Sequence, residues 1–205
     1  MAKDYEGTHL RIINSAKKEF LEKGFINANL REISKNAGIT TGAFYRHFQD
    51  KEALFDALVE PLIQALDTMY KKTMQETYEL LDTDQLKEMW GIYAEVLVQY
   101  TEFMYQYFDE FKLLLTRSEG TKHQSFRNDL VAMEAKETKR FMEELKRRGV
   151  AVNDVSDEEL NMVSSAYYAS IFEVIIHDYP KDRAIKHAHT LVRFLQPGWK
   201  EIFGI

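Results

Sequence analysis

The chain has no cysteine among its 205 residues, only 3 prolines and 9 glycines, and no run of apolar residues long enough to span a bilayer. The first absence excludes a disulfide framework and thiolate-bound zinc, and it suits a reducing compartment. The second removes the turn residues that a fold of many short strands would need, which favours helix. The third, with a charged start at Met1-Ala2-Lys3-Asp4 that lacks an apolar signal core, leads us to expect no membrane association.

What is present is apolar content of 45% and a net charge of −6 that is unevenly spread. Residues 1–51 carry nine Lys and Arg against six Asp and Glu, whereas the remainder carries 18 against 27. A cationic head on an acidic body is compatible with nucleic-acid binding at the N-terminus and a different partner elsewhere.

Helical periodicity runs through the whole chain. Leu10, Ile13, Ala16, Phe20 and Leu21 form one apolar face over residues 5–23, with Gly24 placed as a left-handed cap. Asn29 and Glu32 predict a capping box for a short second helix ending at Gly38. Thr40 or Thr41 caps a third helix running through His47, and Asp50 caps a long fourth one in which Pro61 predicts a kink. Asp82 with Gln85 is the next capping candidate, followed by helices over 108–116 and 123–148. Ser156 with Glu159 opens a helix to Asp178, and a last one spans Asp182 to Gln196, stopped by Pro197-Gly198. The expected class is therefore all-α with about nine helices.

The stretch from Asn29 to Leu54 has the build of a helix-turn-helix whose second member offers small and polar side chains at its amino end, where such helices meet base edges. Thr40, Thr41, Gly42 and Ala43 leave room for close approach, and Tyr45, Arg46 and His47 can reach phosphate or bases. Lys51 lies at a helix amino end that already favours an anion. Phe44 and Phe48, four apart, belong to the buried side.

These residues resemble the TetR family of bacterial regulators, whose signature runs Ile-Ala-x-x-Ala-Gly-Val-Ser-x-Gly-x-x-Tyr-x-His-Phe-x-x-Lys-x-x-Leu. Ile33, Ala37, Gly38, Ile39, Thr40, Gly42, Tyr45, His47, Phe48, Lys51 and Leu54 fall in register, with Ser34 where the family usually has Ala. The resemblance covers roughly residues 8–55. It implies a DNA-binding domain over residues 1–50 and a helical effector-binding and dimerisation domain over 51–205. It further implies that Arg31 contacts a base, that Thr40, Thr41 and Ala43 face the groove, and that Tyr45, His47 and Lys51 hold phosphates. Arg46 stands at a variable position, where a guanidinium can read guanine bidentately.

For the body, the resemblance implies a small-molecule cavity, for which Trp90, Tyr93, Phe111, Tyr167 and Phe172 are the candidate aromatic walls. The last two helices are apolar on more than one face, and the small residues Ser164, Ser165, Ala166, Ala169 and Ser170 allow close helix approach. These features suit a dimer interface, and the resemblance implies a homodimer through these helices on a palindromic operator in double-stranded DNA. A cytoplasmic location follows from that role. No cofactor is expected, and neither His187 with His189 nor His177 with Asp178 has the three- or four-residue spacing of helical metal ligands. No nucleophile and base pair or phosphate loop points to catalysis. The alternative is a helical ligand-binding or interaction protein whose motif does not serve DNA.

Overall fold

A computed structural model describes residues 2–82 and 89–204, and the side chains of 5–79, 81 and 95–204. The described residues form nine helices and no strand: α1 (Ala2–Asn27), α2 (Leu30–Asn36), α3 (Thr41–Phe44), α4 (Lys51–Asp82), α5 (Met89–Gln106), α6 (Phe108–Thr116), α7 (Phe126–Arg147), α8 (Asp157–Ile176) and α9 (Lys181–Phe203). The class expected from the sequence is the one found. No described helix is long and apolar enough to cross a membrane. The Asp82 and Gln85 capping pair lies outside the described residues.

Two compact units are formed: Met1–Asp67 with Tyr107–Gln124, and Thr68–Gln106 with Ser125–Ile205. Helix α4 contributes residues to both.

In the first unit, the inner stripe of α1 is Ile12, Ala16 and Phe20, each fully buried, and Leu10 is 59% exposed. Leu10, expected on the buried face, points outward, and Ile12 takes its place. Two polar residues share the buried stripe, Ser15 and Glu19. Their place among apolar residues is explained by α2. Arg11 Nε donates to the carbonyl of Ala37 (3.1 Å), Ser15 Oγ to that of Ile33 (2.9 Å), and the Asn29 amide donates to Glu19 Oε1 (3.2 Å). Positions 11, 15 and 19 thus meet positions 37, 33 and 29, so three residues of α1, spaced four apart, hold the backbone of α2 from end to start. Each bond satisfies a main-chain group that the short helix leaves open or shares.

Below this clamp, Phe20, Phe25 and Phe55 meet edge to face or stacked, with centroids 5.3–5.9 Å apart, and Leu54, Leu58, Val59 and Leu62 of α4 complete the core. Lys17 reaches Glu110 on α6 (2.6 Å), and Asp56 on α4 pairs with Lys122 (2.6 Å) and His123 (2.9 Å) after it. Gly24 interrupts α1 with φ 74° and ψ 165°; it is a break with extended ψ, not the left-handed cap expected.

In the second unit, α7 lies along α8, α5 along α9, and α8 also meets α9. Leu81, Phe141, Met142, Leu145, Leu160, Trp199 and Phe203 form one apolar cluster. The Ser156 capping box has both of its bonds, with the Glu159 amide donating to Ser156 Oγ (3.2 Å) and the Ser156 amide to Glu159 Oε2 (2.8 Å). Helix α8 ends at Ile176, two residues earlier than expected, because Asp178 turns to φ 52°.

The largest departure is at the C-terminus. Helix α9 does not stop at Pro197 but runs on to Phe203 and closes at Gly204 with φ 76°. An interior proline costs a helix about 3 kcal/mol. Burying Trp199 and Phe203 beyond it offsets that cost, since a fully buried large apolar side chain contributes about 1.5–3 kcal/mol. Asn153 fixes the end, its amide donating to Phe203 O (3.1 Å) and its side chain to Glu201 O (2.7 Å).

Candidate nucleic-acid interface

The candidate reading helix is short. Only Thr41–Phe44 is α-helical, and Arg46 and His47 donate to carbonyls three residues back, so the segment tightens into a turn where a helix through His47 was expected. Thr40 is the cap, its Oγ1 accepting the Ala43 amide at 3.2 Å. Phe44 and Phe48 are buried as expected and stack with centroids 5.8 Å apart, which orients the helix from below. Asp50 caps α4 through the Ala53 amide (2.7 Å).

The capping box expected at α2 is not formed. Asn29 Oδ1 accepts from Arg31, two residues on, at 2.8 Å, and the Asn29 amide goes to Glu19 instead of Glu32. An Asx-type bond two residues ahead suits the short amide side chain, and the buried carboxylate on α1 takes the donor that Glu32 would have taken.

Around this scaffold the sequence candidates separate. Arg31, Thr40, Gly42, Tyr45 and Arg46 are exposed, Tyr45 by 56%, while Thr41 and Ala43 are half-buried. They lie along the amino ends of α2 and α3 and the turn after α3. His47 is half-buried: its ring stacks on Tyr5 (4.2 Å between centroids) and lies 5.7 Å from His9, with Nδ1 buried and unpartnered. Burial, then the charges of His9 and Arg46, lower its pKa below the ordinary imidazole value. Tyr5 also donates to the Arg46 carbonyl at 3.2 Å. Lys51 turns its ammonium to the carbonyls of Ile26 (3.1 Å) and Ala28 (3.2 Å), over the Phe25 ring at 4.5 Å, and desolvation lowers its pKa. Two of its three donors are thereby used inside the protein.

Tyr5, His9, Arg11, Ser15 and Glu19 were not singled out from the sequence. The four-residue spacing of the last three was visible, but a polar stripe on an otherwise apolar face reads as solvated until the opposing backbone is known.

This arrangement presents a capped, aromatic-backed helix amino end beside exposed Tyr45 and Arg46. The model of the family described as "Bacterial regulatory proteins, tetR family" matches residues 12–58. Residues 12–58 thus match the N-terminal domain of the TetR family. An uncharacterised HTH-type transcriptional regulator from Haemophilus influenzae is 32% identical over 142 residues, covering 68% of this chain and 62% of the relative. The regulator UidR of Escherichia coli is 39% identical over 59 residues, which cover 29% of this chain and 30% of UidR. The chain thus spans less than two thirds of the length of either relative. Among solved structures, the repressor NalD of Pseudomonas aeruginosa aligns over 98% of both chains with a TM-score of 0.57 at 22% identity. A TetR-family regulator of Chloroflexus aurantiacus aligns over 94% and 93% with a TM-score of 0.60 at 18% identity. These likenesses show a shared fold over 98% and 94% of this chain, respectively.

Of the candidate effector walls, Trp90 and Tyr93 have side chains outside those described. Phe111 is fully buried on α6 in the first unit, while Phe172 and Tyr167 belong to α8 in the second. The structure therefore does not bring Phe111 into one unit with the other two.

Proposed function

We propose that the chain is a homodimeric, sequence-specific transcriptional regulator, a repressor released from a palindromic operator by a small molecule. DNA binding resides in residues 1–50, effector binding and dimerisation in 51–205. The observation that carries this reading is the α3 amino end, capped by Thr40, backed by buried Phe44 and Phe48 and flanked by exposed Arg46 and Tyr45. Thr40, Thr41, Gly42 and Ala43 face the groove, and Arg31 and Arg46 reach base edges. Tyr45, His47 and Lys51 contact phosphates, Lys51 with its remaining donor. NalD is described as the secondary repressor of a multidrug efflux pump, which accords with repression as the mode of action.

Exposed Met162 on α8 and Phe194 on α9, at 66% and 75%, support pairing through these two helices. A two-fold dimer would set its reading helices into major grooves about 34 Å apart or somewhat more. Release requires only that the effector bind the DNA-incompetent geometry better, and a 100-fold preference supplies about 2.7 kcal/mol of coupling. Helix α4 is the natural transmitter because it carries residues of both units, with Pro61 as pivot.

Selection from random duplex DNA with the purified protein tests this reading. A palindrome should be enriched, and Arg46→Ala should relax one position in each half-site by about 1–3 kcal/mol of discrimination. No enrichment by the wild-type protein at moderate salt, with or without added ligands, would favour the interaction-protein alternative.

A further inference from the structure

Four helices of the second unit bring Tyr70 (α4), Tyr100 (α5), Glu134 (α7) and Tyr168 (α8) into one another's electrostatic field. The Tyr168 hydroxyl points to Glu134 Oε2 at 3.5 Å, a long contact, and its ring stacks on Phe172 with centroids 5.4 Å apart. The Tyr70 hydroxyl is buried with no hydrogen-bond partner. Desolvation is the largest influence on both Glu134 and Tyr100, yet each keeps part of its surface accessible. A buried hydroxyl without a partner, beside a carboxylate and a phenol that keep some accessible surface, can receive a bound molecule.

The sign of that occupant follows from the charges. Among the described residues no Lys or Arg pairs with Glu134; Arg140 on the same helix is engaged by Glu137 at 2.7 Å. Burial, with Glu137 adding a smaller negative field, raises the pKa of Glu134 from its ordinary carboxylate value. An enclosed carboxylate without a cation is costly, and an incoming positive charge relieves that cost. Tyrosine faces add cation–π attraction and receive an apolar body.

We propose that this cluster is the effector site and that it takes an organic cation, with its charge against Glu134 and its apolar body among the rings of Tyr70, Tyr100, Tyr168 and Phe172. Its regulatory meaning rests on the repressor reading above, whereas its binding chemistry stands independently. An anion is repelled by Glu134, whereas Glu137 is paired with Arg140. A neutral ligand would use the tyrosine hydroxyls without needing the carboxylate.

Calorimetry on the full-length protein without DNA tests this, using tetraphenylphosphonium and benzyltrimethylammonium as cation probes and tetraphenylborate as the anion matched to the first. At least one cation should bind once per chain, with tetraphenylborate weaker by at least about tenfold. Glu134→Gln should weaken the cation by about tenfold or more while Glu134→Asp, which keeps the charge, retains most of the affinity. The melting curves of both variants verify that they fold. Binding of neither cation, equal binding of the borate, or a Glu134→Gln variant that binds as the wild type would each overturn the site. Since this assay contains no DNA, failure of operator recognition would sink the repressor reading and leave the site standing.

Discussion

The Glu19 carboxylate, buried on α1, accepts the main-chain amide of Asn29 at 3.2 Å and the Lys23 ammonium at 2.9 Å. It therefore ties the start of α2 to α1 and closes a clamp that Ser15 and Arg11 continue. Because α2 has only seven residues, it cannot hold its own place by internal hydrogen bonds, and the helix-turn-helix geometry depends on this neighbour.

Replacing Glu19 by Ala leaves a donor without its acceptor inside the domain. The expected loss is about 1–3 kcal/mol of unfolding free energy, with operator affinity falling as well because α2 supports α3. Denaturant melts of Glu19→Ala and Glu19→Gln decide it: the amide oxygen of Gln can still accept, so Gln should recover part of the loss. Equal losses for both would mean that the lost Lys23 pair matters more than the Asn29 bond.

Thr40 caps a helix of four residues, so its hydroxyl is a large share of what holds that helix. Thr40→Ala should lower stability by about 1 kcal/mol, and Thr40→Ser should restore it. Operator affinity measured on the same variants separates capping from base contact. If Ser restores stability but not affinity, the threonine methyl touches a base.

His47 gives a pH dependence whose sign can be worked out. Its folded pKa lies below the unfolded value, so the stabilising preference for the neutral ring is fully present above the ordinary imidazole range. As pH falls through the unfolded value near 6.5, the unfolded state takes up a proton first and stability is lost. Melting temperatures from pH 7.5 down to 5.5 should therefore drop in the wild type. The drop should be smaller in His47→Phe, which keeps the ring stack on Tyr5. An equal drop in both would assign the dependence to other groups.

Phe194 and Met162 project from α9 and α8 as exposed apolar side chains. If the proposed dimer pairs through α8 and α9, Phe194→Glu should turn it into monomer in sedimentation velocity and weaken binding to a palindrome far more than to a half-site. A dimer that survives both Phe194→Glu and Met162→Glu would place the interface elsewhere.

Local features follow from residue order alone. The caps at Thr40, Asp50 and Ser156 were legible because a side chain and an amide two or three residues away meet whenever a helix begins. The motif from Ile33 to Leu54 and the burial of Phe44 and Phe48 were legible for the same reason of fixed spacing. Which residue a distant partner claims is settled by long-range packing. Glu19 took the amide that Glu32 was expected to take, and Trp199 and Phe203 carried α9 past Pro197. His47 was drawn under Tyr5, and Glu134 was set among three tyrosines from other helices. In each case the deciding free energy comes from desolvation and contact between residues far apart in the chain, and no local spacing encodes that.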